Sequence, residues 1–133
     1  MQLHHIGYVV ADIDRYEKNL LFKRKIGDVT DPLQKARLSL YETWSDTLIE
    51  LIAPESEEAF TFAFLKKNGG GYHHLCYKVS DVHEMNEIAG KHNLLMFKGP
   101  LPAPLFNGLP VYFFFDRNKS ITEFLIEPDT KLP

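Results

Sequence analysis

The chain has 133 residues and a formal net charge of −3, with 44% hydrophobic and 25% charged residues, the balance of one ordinary globular domain. The charge excludes a surface built for phosphate backbones, and a single cysteine excludes a disulfide framework or an all-cysteine zinc site. No apolar run approaches the roughly 18 residues of a membrane span, and Met-Gln-Leu-His-His lacks the basic and apolar stretches of a signal peptide, so the expected compartment is the cytoplasm.

The first element is a strand opening His4-His5-Ile6-Gly7-Tyr8-Val9-Val10. Side chains alternate along a strand, so His5, Gly7 and Val9 share one face and Ile6, Tyr8 and Val10 the other. The second face is the candidate for packing under a helix. Asp12 can cap that helix, expected from Ile13 to Lys25. Ala36 to Tyr41 reads as a strand in which Arg37, Ser39 and Tyr41 alternate with Ala36, Leu38 and Leu40. Thr47 to Pro54 is a strand ended by proline, with Glu50 between Leu48 and Ile52 on one face. A linking helix is expected from Glu57 to Lys67. It ends at Asn68-Gly69-Gly70-Gly71, expected to be a flexible joint and lacking the lysine and hydroxyl of a phosphate loop. In the next strand, His74, Cys76 and Lys78 share a face. Asp81 precedes a helix expected from Val82 to His92. The stretch Gly99 to Pro110, with four prolines and two glycines, is expected to be a loop and, at its length, a lid. Val111 to Phe115 and Ile121 to Pro128 close the chain as strands, with Glu123 between Ile121 and Leu125.

The chain repeats itself. His4-His5-Ile6-Gly7-Tyr8-Val9-Val10-Ala11-Asp12-Ile13 and His73-His74-Leu75-Cys76-Tyr77-Lys78-Val79-Ser80-Asp81-Val82 share His, His, Tyr, Val and Asp in register at an offset of 69. Each half reads as strand, helix, then about three strands: module 1 over about 1–56, the linking helix over about 57–68 and module 2 over about 71–128, in one α+β domain. The register puts His5 and His74 at matching positions, and Glu50 and Glu123 lie in similar closing strands. A carboxylate with apolar neighbours on its own face is costly if left unpaired. Two such glutamates and two such histidines have a mutual solution in one divalent cation. A mixed nitrogen and oxygen set suits Zn, Ni, Co, Mn or Fe better than Ca or Mg. Four protein ligands leave an octahedral ion two positions for water or substrate. Singly, each residue has a plainer reading, a hydrogen-bonded histidine or a solvated glutamate. Joint occurrence at repeat-equivalent positions argues for the site. His4 and His73 are expected to point to the helix side or the sheet edge, and His83 and His92 to be solvated.

These residues carry a resemblance to the vicinal oxygen chelate superfamily, which spans glyoxalases, bleomycin resistance proteins and dioxygenases. His5-Ile6-Gly7-Tyr8-Val9-Val10 resembles its first strand, and Ile49-Glu50-Leu51-Ile52-Ala53-Pro54 its fourth. Gly71-Tyr72-His73-His74-Leu75-Cys76-Tyr77-Lys78-Val79 resembles the second-half motif of the epimerase-like members, and Thr122-Glu123-Phe124-Leu125 the last ligand strand. The resemblance covers nearly the whole chain. It implies two βαβββ modules forming a curled mixed sheet around a metal cavity, with His5, Glu50, His74 and Glu123 as ligands. It also implies a metal-dependent isomerase, epimerase or lyase working through a chelated enolate, nearest to methylmalonyl-CoA epimerase. Glu123 is then the candidate base and Glu50 its partner. The segment Thr30 to Arg37 replaces the one that carries a second acid in the epimerases, and Asp31 is a candidate stand-in.

Arg37 and Lys78 are candidate substrate-binding cations, each able to hold a carboxylate or phosphate; solvated strand edges are the alternative. The expected partner is a small molecule such as an acyl-CoA or other thioester, with neither nucleic acid nor membrane. A homodimer is compatible with the aromatic strand Tyr112 to Phe115. The competing functions are a glyoxalase I-type lactoylglutathione lyase and a non-catalytic binding or resistance protein. A ring-cleaving dioxygenase, which uses two histidines and one glutamate, is disfavoured by the extra Glu50.

Overall fold

A computed structural model describes residues 1–129. Their elements follow the order βαβββ, a linking helix, then βαβββ again. The first set is β1 (Gln2–Val9), α1 (Ile13–Glu17), β2 (Arg24–Asp31), β3 (Ala36–Glu42) and β4 (Leu48–Pro54). The linker is α2 (Phe62–Asn68). The second set is β5 (Gly71–Val79), α3 (Val82–Lys91), β6 (Leu95–Ala103), β7 (Leu109–Phe115) and β8 (Ile121–Ile126). The chain clusters into two compact units, one of residues 5–74 and one joining residues 1–4 to those from Leu75 onward. Among the described residues no helix is long and apolar enough to cross a membrane.

In the first of these units the strands lie in the order β2-β3-β4-β1. β1 runs parallel to β4, with Gly7 beside Glu50, while β2–β3 and β3–β4 are antiparallel hairpins. One face packs Val10, Ile13, Tyr41, Leu51 and Ala53 with Tyr8, Leu20, Phe22 and Ile49. That leaves His5, Gly7 and Val9 of β1 and Glu50 and Ile52 of β4 on the face turned away from α1, as alternation dictates. Asp12 caps α1 by accepting from the Arg15 N–H at 3.1 Å. The helix ends at Glu17, eight residues short of the expected Lys25. Leu20 and Phe22, two apart, both pack into the α1 cluster, which is an extended rather than a helical spacing. From Arg24 onward the chain is strand β2, paired with β3 from Arg24–Glu42 to Asp31–Ala36.

The linking helix is also shorter than expected, with Ser56 to Thr61 forming turns before it. Gly69, Gly70 and Gly71 all have positive φ, at 73°, 100° and 120°. A Cβ on Gly70 would lie 2.8 Å from the Val9 carbonyl oxygen. The expected flexible joint is therefore a fixed turn whose geometry only glycine adopts easily.

In the other unit the order is β5-β8-β7-β6, the same topology as β1-β4-β3-β2. Val79, Met85, Ala89, Phe114, Phe124 and Ile126 form the core beneath α3, which Asp81 caps by accepting from Glu84 N–H at 2.8 Å. Phe124 and Ile126 face α3, so Glu123 and Leu125 face away from it. The proline-rich stretch expected to be a lid is instead the end of β6, a 3-10 turn over Pro104–Phe106 and the start of β7. Proline is tolerated there because β6 is the last strand in the order, where among the described residues one row of backbone groups has no partner strand.

Candidate metal centre

Three of the four expected ligands meet within the unit of residues 5–74. His5 on β1 is 0% exposed, His74 at the start of β5 is 1% exposed and Glu50 on β4 is 5% exposed. His5 Nε2 lies 3.3 Å from His74 Nε2. Glu50 Oε1 is 3.5 Å from His5 Nε2 and 3.6 Å from His74 Nε2. Ligand bonds of about 2.0–2.2 Å hold neighbouring donor atoms roughly 2.8–3.6 Å apart around a shared cation. The three separations fall in that span. Two imidazole nitrogens and a carboxylate oxygen converging in this way are also the donor set that a borderline divalent ion takes.

Gly7 makes the arrangement possible. A Cβ at this position would fall 2.3 Å from His74 Cε1 and within 2.7 Å of both ring nitrogens. The His74 ring occupies the space a side chain would need. Glu123, on β8, is likewise buried at 3% exposure and turned away from its module's helix, as Glu50 is from α1.

Sequence reasoning missed the part of His73. Its ring is buried, edge-on to Phe64 at 5.0 Å and tilted to Phe60 at 6.0 Å, and its Nδ1 lies 2.8 Å from His74 Nδ1. The signal was present as a doubled histidine and two phenylalanines four apart ahead of it. Strand alternation hid it, because neighbours on a strand ordinarily point apart. His4 packs edge-on to Phe106, and His83 is exposed beside Glu87.

Arg37 does not join the ligand face. It lies on the α1 side with Tyr41, opposite Leu40, which pairs with Glu50. Its guanidinium forks onto Asp28 (Nε–Oδ1 3.0 Å, Nη2–Oδ2 2.6 Å) and reaches Asp14 at 3.2 Å. The expected substrate cation is thus a tie between β2, β3 and α1. Arg37 holds the Asp28 carboxyl down at about 2, with help from Lys25 and against partial burial. Lys25 bridges Asp28 and Glu17, each at 2.9 Å. Burial and the hydrogen bond that Tyr41 donates to Glu17 at 2.6 Å push the Tyr41 hydroxyl up to about 12. Asp31, the expected second acid, shapes the β2–β3 turn: its Oδ1 accepts from Leu33 and Gln34 N–H at 2.9 and 3.2 Å. Lys78 pairs with Glu127 at 3.1 Å and lines a cleft of about 710 Å³ with Gln2, Ser80 and Glu84.

Residues 4–113 match the family described as the Glyoxalase/Bleomycin resistance protein/Dioxygenase superfamily. The chain belongs to that superfamily. It is 29% identical over 135 residues to the mitochondrial methylmalonyl-CoA epimerase of Dictyostelium discoideum, covering 98% of this chain and 78% of the relative. Over 86 residues it is 31% identical to the ethylmalonyl-CoA/methylmalonyl-CoA epimerase of Cereibacter sphaeroides, covering 61% and 63% respectively. The crystal structure of methylmalonyl-CoA epimerase from Mycobacterium tuberculosis superimposes with a TM-score of 0.80 at 26% identity, over 98% of this chain and 89% of that one. The chain is accordingly an enzyme of the isomerase kind, and these relatives favour the epimerase branch over a lactoylglutathione lyase or a resistance protein.

Proposed function

We propose that the enzyme epimerises a malonyl-type acyl-CoA at the carbon alpha to its thioester, using one divalent cation held by His5, Glu50, His74 and Glu123. The observation that carries this reading is the buried triangle of donor atoms 3.3 to 3.6 Å apart. Glu123 enters as the fourth ligand because it repeats Glu50: a buried carboxylate in the closing strand of its module, on the face away from the helix. The nitrogen and oxygen set suits Zn, Ni, Co, Mn or Fe.

When bound, the cation would withdraw electron density from the thioester carbonyl and so make the alpha proton acidic. Epimerisation then needs one group to take that proton and another to return one to the opposite face. Glu123 takes the proton: the C–H bond breaks, the electron pair passes into the carbonyl system and the carboxylate becomes a carboxylic acid. Glu50, which must enter that turnover as the carboxylic acid, gives its proton to the other face and is left as the carboxylate, and the roles exchange for the opposite epimer. Burial keeps competing water from the carbanion. Arg37 has no part in these steps, since its guanidinium is engaged by Asp28 and Asp14. The partners in this reading are an acyl-CoA and, through the aromatic strand β7, a second copy of the chain, in the cytoplasm.

Metal analysis of the purified enzyme and proton exchange in deuterated water test the proposal. About one equivalent of divalent metal and metal-dependent deuterium uptake at C2 of methylmalonyl-CoA are expected. A metal-loaded enzyme that leaves C2 unlabelled but consumes methylglyoxal with a thiol would overturn it in favour of the lyase.

A further inference from the structure

We infer that His73 is a positioning residue for His74, accepting the proton on His74 Nδ1 and so leaving His74 Nε2 as a bare lone pair toward His5 and Glu50. The inference rests on the metal centre proposed above. Two neutral imidazoles with their Nδ1 atoms 2.8 Å apart share a single hydrogen in that contact. If His73 carries it, His74 must be protonated on Nε2, and that N–H points at His5 Nε2 and Glu50 Oε1, 3.3 and 3.6 Å away, and blocks ligation. If His74 carries it, Nε2 is free to bind a cation and His73 is the Nε2–H tautomer.

The surroundings fix both rings. Phe64 meets His73 edge-on and Phe60 flanks it, so the linking segment holds the acceptor in place. On the other side, His74 fills the space over Gly7, where a side chain of any size would displace it. A ligating histidine whose second nitrogen is held in this way has a set tautomer and ring orientation, and loss of such a partner typically weakens metal binding about 10–100-fold.

The test is zinc affinity, measured by chelator competition, in the wild-type protein, His73→Phe and His73→Asn, together with ¹⁵N-histidine NMR of the zinc-loaded wild type. Phenylalanine keeps the aromatic packing and removes the acceptor. Asparagine places an amide oxygen near the position of Nδ1. The expected results are a 10–100-fold loss for His73→Phe, recovery of most of it in His73→Asn, and the Nε2–H tautomer at His73. Wild-type affinity in His73→Phe, or a proton found on His73 Nδ1, overturns the inference while leaving the metal centre intact. A wild type that binds no zinc, nickel, cobalt or manganese overturns the metal centre itself. If His73→Phe does not fold, the NMR tautomer of the wild type still decides.

Discussion

Gly7 contributes to the candidate site by having no side chain, since the His74 ring lies where a Cβ would be. Gly7→Ala should therefore move the ligand more than the fold. The expected result is a drop in zinc affinity of at least tenfold in a chelator competition, with a stability loss on the order of 1–3 kcal/mol from overpacking in a chemical melt. Glu50 tests the carboxylate directly. Glu50→Gln keeps the shape but removes the anion beside two imidazoles, so metal content should fall below one equivalent. Deuterium uptake into methylmalonyl-CoA should slow by roughly 10²-fold or more. At this scale the sequence was legible wherever parity along a strand decides the answer. His5, Gly7 and Val9 share a face, and so do Leu48, Glu50 and Ile52. It was not legible for His73, whose contact runs between sequence neighbours and depends on Phe60 and Phe64 of the linking segment.

Elements were harder to read, because tertiary pairing overrides local pattern. The polar residues from Arg15 to Lys25 suit a long helix, yet Arg24, Lys25 and Asp28 lie on a strand whose charges are answered across the sheet and by α1. For Arg37, a cation alternating with apolar residues implies two faces without saying which one the helix covers. Its tie to Asp28 predicts an acid limit. Asp28 has a folded pKa near 2 against an ordinary 3.8, so it binds protons less readily folded than unfolded. Its contribution is present above about pH 4 and is lost as pH falls toward 2. The stability gap between wild type and Asp28→Asn, from urea melts, should be full at pH 5 and shrink steadily toward pH 2. A gap that does not vary with pH would remove the ion pair as its cause. The carboxylate is about a third exposed, so solvent screening keeps the gap modest.

Across the whole molecule the duplicated βαβββ order was the most legible feature, since it was written twice, at an offset that alignment of the two His-His windows reveals. A centre assembled from β1, β4 and β5 draws on segments far apart in sequence, so a bound cation should stabilise the folded chain over the unfolded one. At a free metal concentration 100 times Kd the gain is about 2.7 kcal/mol. Stripping the metal with a chelator should then lower Tm by roughly 5–10 °C, and stoichiometric zinc or cobalt should restore it. A melting curve indifferent to chelator and metal would count against the centre.

The last strand of the β5-β8-β7-β6 order has a consequence for how the protein keeps in solution. β6 carries exposed Leu95, Met96 and Phe97, the composition of a segment that templates fibrils. Pro102 stands opposite Pro110, and neither has an N–H, so the two cannot form a hydrogen-bonded pair across the ladder. The backbone nitrogen of Pro102 must therefore face outward, where an arriving strand would look for a donor and find a ring. The proline in the stretch expected to be a lid is a stopper on the sheet's open margin, and Pro102→Thr should precipitate faster than the wild type, with seeds that hasten further precipitation, in a light-scattering time course.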